Sequence, residues 1–258
     1  MLHTLEIRHI HLPETTSTNT YARQLDLGDE ILLITTDHQT AGRGQRGNTW
    51  ESASKKNLLF SLAFAPHNLP ASQQFVLCEY ISVVLCEVLS LYTDDIRIKW
   101  PNDIYYRDHK LCGILIEHDL EGTHLSRTII GVGLNVNQSQ FISDAPNPIS
   151  LSQILGHEVN RTELLSAICN QFANPSLLNL TTREALHSRY TSLLYRLGIS
   201  AIYQDTEGTF TAILHHVEPD GRLILEDKQG QQRSYLFKEV AYIIAPHPHQ
   251  YPPASGSY

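Results

Sequence analysis

The apolar positions follow three rhythms along the chain. In the first, short unbroken runs dominate. Segments 31–36 (ILLITT) and 57–65 (NLLFSLAFA) are mostly apolar or β-branched and predict buried strands. Segment 70–92 has no glycine and no proline after its first residue, and its length predicts a buried central helix. Segments 96–100, 104–106, 110–119 and 124–137 are β-rich and separated by turn residues such as Pro101-Asn102-Asp103 and Glu121-Gly122. That spacing predicts a strand followed by an antiparallel meander. The second rhythm, over 150–197, is helical and predicts one or two helices covering the sheet. Asn160 and Glu163 stand at the spacing that lets two side chains cap a helix start reciprocally. The third begins after Gly198, where short β-rich runs at 201–203, 209–217, 222–226 and 233–237 alternate with glycine turns and predict a small β-barrel.

The division that results is 1–197, 198–245 and a tail at 246–258. The tail, rich in Pro, His and Ser, has too little apolar surface to offset its ordering entropy, so disorder is expected there and no metal site is assigned to its histidines. The length of 258 residues agrees, being roughly 1.7 times a typical domain of about 150. With 41% hydrophobic and 18% charged residues the chain has the composition of a globular protein. Nineteen Lys and Arg against 27 Asp and Glu give a formal charge of -8, which opposes phosphate attraction and argues against nucleic acid as the main partner. The longest apolar stretches, such as 81–85, fall short of the roughly 20 residues that span a bilayer, so no membrane anchor is expected. The N-terminus lacks the apolar core of a secretory signal, which predicts a cytoplasmic protein. Cys78, Cys86, Cys112 and Cys169 show no CxxC spacing and are read as small packed hydrophobes.

The connection at 37–56 is long for a compact domain, and long ordered loops tend to carry function. Within it Thr40-Ala41-Gly42-Arg43-Gly44-Gln45-Arg46-Gly47 interleaves three glycines with two arginines. Glycines let backbone N–H groups approach an anion, and guanidinium groups supply fixed charge and planar donors. The segment is neither a Walker A loop nor a dinucleotide fingerprint, because it lacks Gly-Lys-Ser/Thr and the GxGxxG phase. Lys99 ends a strand before the obligate turn of Pro101-Asn102-Asp103, so its ammonium can enter a pocket as a point charge. Gly131 and Gly133 alternate within a strand and share a face, which marks close approach by a ligand or by a neighbouring helix. Ser17 has a competing reading as a helix N-cap, and Trp50 one as a hydrophobic anchor for the loop.

Five segments in this order resemble those of the bacterial biotin protein ligases. They are Thr16-Ser17-Thr18-Asn19, the loop from Gln39 to Gly47 with Trp50 after it, Lys99-Trp100-Pro101-Asn102-Asp103, Lys110-Leu111-Cys112-Gly113-Ile114-Leu115-Ile116-Glu117, and Gly131-Val132-Gly133-Leu134-Asn135-Val136-Asn137. The resemblance implies an α+β, class II synthetase-like catalytic domain, a mixed sheet backed by helices, followed by a small SH3-like β-barrel. It implies ATP-dependent formation of biotinyl-adenylate, then transfer of biotin to a lysine of a biotin carboxyl carrier domain, with Mg²⁺ entering through the ATP phosphates. By the same resemblance Lys99 and Arg43 are the catalytic cations. Ser17, Thr18, Asn19, Gln39, Gly42, Gly44, Gln45, Arg46 and Gly113 join them in holding biotin or the adenylate. Trp50, Gly133 and Asn135 take the nucleotide side, and Asp103 and Glu117 receive no catalytic role.

Two departures stand out. Gln45 occupies a position where the family's loop more often carries a basic residue, removing one charge from the grip on the adenylate. The Ser-Thr-Asn motif begins after a short lead, so a ligase without an N-terminal DNA-binding domain is expected. The oligomeric state stays open, a homodimer included. The rival readings are a lipoate or octanoate ligase of the same superfamily and a non-enzymatic binding protein with the glycine loop as a lid.

Overall fold

A computed structural model of the chain describes residues 6–66, 68–142, 147–173 and 183–244, and the main chain but not the side chain of Arg46. The tail expected at 246–258 lies outside the described residues. Strand β1 (Ile7–Leu12) pairs in parallel with β2 (Ile31–Thr36) across helix α1 (Thr18–Arg23), and β2 pairs antiparallel with β3 (Leu58–Phe64). Next in the sheet comes β7 (His124–Leu134), then β6 (His109–Glu121), β5 (Asp103–Tyr106) and β4 (Ile96–Lys99), the predicted meander. The one parallel pair makes the seven-stranded sheet mixed.

Why β2 and β3 read as unbroken apolar runs follows from burial on both faces. On one face Leu32, Ile34, Ala63 and Ile129 close around Ala22 of α1. On the other, Leu33, Phe60 and Leu62 belong to the main core with Ile81, Val84 and Leu85 of α2 (Phe75–Leu89). Contrary to the expectation drawn from 81–85, Ala71–Leu89 is long and apolar enough to cross a membrane, but 61% of it is buried inside the protein. A core helix surrounded by protein needs no polar face, and α2 is apolar nearly all round for that reason.

The region 150–197 holds three described helices rather than one or two: α3 (Leu151–Leu155), α4 (Arg161–Phe172) and α5 (Arg183–Ser192). A capping box between Ser150 and Gln153 starts α3, and Gly156 at φ 77° ends it within two turns. At α4 the cap is one-way. Asn160 accepts from the N–H groups of Thr162 and Glu163, while the Glu163 carboxylate takes the Asn160 side-chain amide instead of returning to its backbone.

Strands β8 (Ser200–Asp205), β9 (Gly208–Val217), β10 (Leu223–Asp227), β11 (Gln232–Tyr235) and β12 (Ala241–Tyr242) form a second, antiparallel sheet in the order β11-β10-β9-β8-β12. It is the small β domain expected from the glycine turns. Its inward residues Tyr203, Leu214, Val217 and Leu225 join the same core cluster as α2. The Trp100 indole donates to the Gly221 carbonyl at 2.9 Å, which ties the end of β4 to this sheet. All four cysteines are free thiols, and burial pushes those of Cys78 and Cys86 well up, as packed hydrophobes require.

Candidate functional site

A cleft of about 880 Å³ opens between the glycine loop, the middle of the first sheet and the segment 237–242 of the second. Ser17, Thr18, Asn19, Gln39, Arg43, Gly44, Gln45, Trp50, Lys99, Gly113 and Gly133 all line it, so most of the residues singled out by sequence converge. Gly42 lines an adjoining cavity of about 440 Å³, to which Arg43 and Glu117 also contribute. The side chain of Arg46 lies outside the described residues. Asn135 is not among the cleft-lining residues. Its amide donates to the Ile149 carbonyl at 3.1 Å and ties the end of β7 to the start of α3.

One end of the cleft is a polar network. Ser17 holds the N-cap position of α1 in extended conformation yet makes no capping bond, so the N-cap reading applies to its backbone only. The Thr18 N–H donates to Gln39 Oε1 at 2.8 Å. Ser61, fully buried in β3, donates to Asn19 Oδ1 at 2.6 Å and lies 2.7 Å from the Thr18 hydroxyl. The Asn19 amide donates to the Leu115 carbonyl at 3.2 Å and to Glu117 Oε2 at 2.8 Å, and Arg43 donates to that same carboxylate oxygen at 2.5 Å. Asn19 is therefore committed to protein partners and acts as the brace of this wall. Gly131 exists here for clearance, since a Cβ at that position would stand 2.2 Å from Asn19 Oδ1.

The floor beside it carries Trp50. Gly113 and Gly133 face each other across the β6–β7 ladder, and added Cβ atoms would stand 2.7 and 2.4 Å from the indole ring. Both readings of Trp50 meet in this arrangement: it anchors the loop, and it does so inside the cleft. Its Nε1 is buried with no hydrogen-bond partner among the described residues, as is Gln45 Oε1. Polar atoms left unpaired in a cleft are available to a ligand.

At the far end stand two lysines. Lys110 Nζ is 2.7 Å from Asp103 Oδ2 and 5.8 Å from the Trp50 ring centre. Lys99 makes no ion pair among the described residues; its ammonium lies 5.5 Å from the Tyr105 ring centre and 5.0 Å from that of Tyr242. Burial pulls the Lys99 pKa below its ordinary value, with Asp103 opposing and Lys110 and Arg196 reinforcing the shift. A desolvated ammonium lacking a counter-ion is a ready receptor for an anion.

Sequence reasoning missed Ser61, Lys110, Tyr105, Phe237, Lys238 and Tyr242 as cleft or wall residues. A lone hydroxyl in the apolar run 58–64 was a visible signal for Ser61, whereas the approach of segment 237–242 depends on how the two sheets pack. Asp103 and Glu117, given no catalytic role from sequence, hold Lys110 and Arg43. No group of three or more His, Cys, Asp or Glu side chains converges on a metal position among the described residues.

Residues 12–135 match the biotin/lipoate A/B protein ligase family. The bifunctional ligase/repressor BirA of Escherichia coli K12 is 38% identical over 242 residues, covering 89% of this chain and 72% of its own length. BirA of Bacillus subtilis 168 is 31% identical over 221 residues, and the chain spans 65% of that relative's length. Among solved structures, biotin protein ligase from Aquifex aeolicus in complex with biotin and ATP shares the fold with a TM-score of 0.75 at 23% identity, covering 92% of this chain and 99% of the other. The chain belongs to the biotin/lipoate A/B protein ligase family and is homologous to its biotin protein ligases.

Proposed function

We propose that this chain is an ATP-dependent biotin protein ligase. In the first step a biotin carboxylate oxygen attacks the α-phosphorus of ATP and the bond to pyrophosphate breaks. In the second, a carrier lysine amine attacks the acyl carbon of the adenylate, forming an amide, losing a proton and expelling AMP. The observation that carries the reading is the Lys99 ammonium, without an ion-pair partner among the described residues, in the same cleft as the arginine-bearing glycine loop and the Thr18–Gln39 network. Two anions must meet there, and positioned cations in a water-poor site offset their repulsion.

Under this reading Lys99 neutralises charge developing on the α-phosphate, and Lys110 faces the same phosphates once Asp103 yields part of its hold. Ser17, Thr18 and Gln39 turn polar atoms toward the biotin ureido group, with Asn19 bracing them. Trp50 Nε1 and Gln45 Oε1 offer one donor and one acceptor to the intermediate. Asp103 in the cleft and Glu117 in the adjoining cavity already carry cationic partners, so Mg²⁺ would enter with ATP and supply charge neutralisation at its phosphates. Free thiols and a need for ATP fit a cytoplasmic enzyme with a biotin carboxyl carrier domain as its macromolecular substrate.

The test is ATP–pyrophosphate exchange with biotin added or withheld. Exchange that requires biotin is the expected result; exchange driven by lipoate or octanoate instead favours the sister ligase, and none with any acid favours a binding protein. Arg43 gives a second check. Its guanidinium rests on Glu117 and must transfer to the adenylate, so Arg43→Ala should speed adenylate release roughly 10- to 100-fold, the value of one charge-assisted hydrogen bond. Unchanged retention and carrier labelling would remove Arg43 from the site.

A further inference from the structure

We propose that Tyr242, in the second sheet, positions the Lys99 ammonium for adenylation and thereby makes that sheet part of the reaction site. The inference rests on the reading that Lys99 acts on the α-phosphate. Its basis is geometric. The Lys99 ammonium sits 5.0 Å from the Tyr242 ring centre and 5.5 Å from that of Tyr105, so one ring comes from each sheet. The negative face of an aromatic ring attracts a cation most strongly where water is excluded. Lys99 makes no ion pair among the described residues; the two rings and the charge of Asp103 are what favour its ammonium.

The ring of Tyr242 is fixed from behind. It meets Tyr203 edge-on at 5.0 Å and Tyr195 at 6.2 Å, pairs with Tyr203 in the β12–β8 ladder, and is followed by the Ile243 N–H donating to the Ile202 carbonyl at 3.0 Å. Its hydroxyl is buried with no hydrogen-bond partner among the described residues. No hydroxyl partner holds the ring, so its ring contacts with Tyr203, Tyr195 and the Lys99 ammonium define its place. The other groups facing Lys99 are Asp103 of β5, which favours its charge, and Lys110 of β6 and Arg196, which oppose it; Lys238 lines the same cleft.

The experiment compares Tyr242→Phe with Tyr242→Leu in biotin-dependent pyrophosphate exchange, followed as kcat/KM against pH. Removing a π-face withdraws support from the charged ammonium, so the Lys99 pKa falls further and the alkaline limb of Tyr242→Leu should move down by about one pH unit. Tyr242→Phe keeps the face and should keep the wild-type limb. A purely structural role lowers the rate by one factor at every pH and leaves the limb in place, which would overturn the proposal. The Lys99 Cε resonance, assigned by its loss in Lys99→Arg, reports the same titration without activity. If Tyr242→Leu fails to fold, the wild-type protein still decides: the Lys99 Hε protons should resonate upfield from ring currents, and ordinary lysine shifts overturn the placement. Lys99→Ala separates the two layers. Full exchange in that variant removes both the role of Lys99 and the inference, whereas lost exchange with an unmoved Tyr242→Leu limb removes the inference alone.

Discussion

Lys99→Ala should lower biotin-dependent pyrophosphate exchange by about 10²- to 10³-fold, the usual cost of deleting one charge-stabilising group at a reacting centre. It should do so without a lower melting temperature. The sign of the pKa shift explains why. Burial depresses the Lys99 pKa, so the fold penalises the charged form relative to the unfolded chain. That penalty is fully present below the folded pKa and is relieved as pH rises through it toward the unfolded value. Alanine removes the penalty at neutral pH, and no ion pair among the described residues is lost with it. An activity loss accompanied by a lower melting temperature would make Lys99 a structural residue.

Lys110 supplies the control. It stands in the same cleft but is bound to Asp103 at 2.7 Å, so its charge is already answered. Deleting it strands the Asp103 carboxylate, and a carboxylate left unpaired in a half-buried site costs stability. The two lysines thus separate by melting temperature even where both lower the rate. Asp103 serves both, as ion-pair partner of Lys110 and as the longer-range charge that favours the Lys99 ammonium.

Much of this arrangement was legible in sequence where one local rule decided the outcome. The runs 31–36 and 57–65 had to be strands covered on both faces, and the covering elements are α1 and α2. The motif residues converged because the start of α1, the loop between β2 and β3, the end of β4 and the facing glycines of β6 and β7 border one cleft. Three kinds of feature were hidden. The third helix at 150–197 depended on the Ser150–Gln153 cap, which the apolar pattern does not weigh. The departure of Asn135 from the cleft depended on its bond to Ile149, an encounter set by tertiary packing. Tyr105 and Tyr242 meet Lys99 from different sheets, a contact that periodicity along one strand does not encode. Gly131 and Gly133 were read as marking close approach by a ligand or a neighbouring helix. Gly131 clears Asn19 of helix α1, in line with the second alternative, while Gly133 clears a loop tryptophan, as does Gly113, which had no such reading.

Gly131→Ala should therefore be the most damaging conservative change in the cleft wall. The new methyl would stand 2.2 Å from Asn19 Oδ1, and Asn19 is held by Ser61, the Leu115 carbonyl and Glu117, so it has no free direction in which to swing. Helix α1 must lift instead, carrying Thr18 away from Gln39. Overpacking of this kind costs about 1–3 kcal/mol of stability, and a displacement near 1 Å in a positioning element costs roughly 100-fold in the reaction it serves. The expected readouts are a lower melting temperature and a rise of that order in the biotin KM of pyrophosphate exchange, with the ATP KM moving much less. Gly133→Ala pushes on Trp50, which sits on a loop and makes no side-chain hydrogen bond among the described residues, so its effect should be smaller and should fall on the ATP side. The double variant Gly131→Ala with Asn19→Ala removes the clash while leaving the wall without its brace. Recovered stability with biotin KM still raised is the expected pattern, because the clash and the positioning are then separated. If the double variant regains the wild-type biotin KM, Asn19 braces nothing that biotin needs, and the polar end of the cleft must be reassigned.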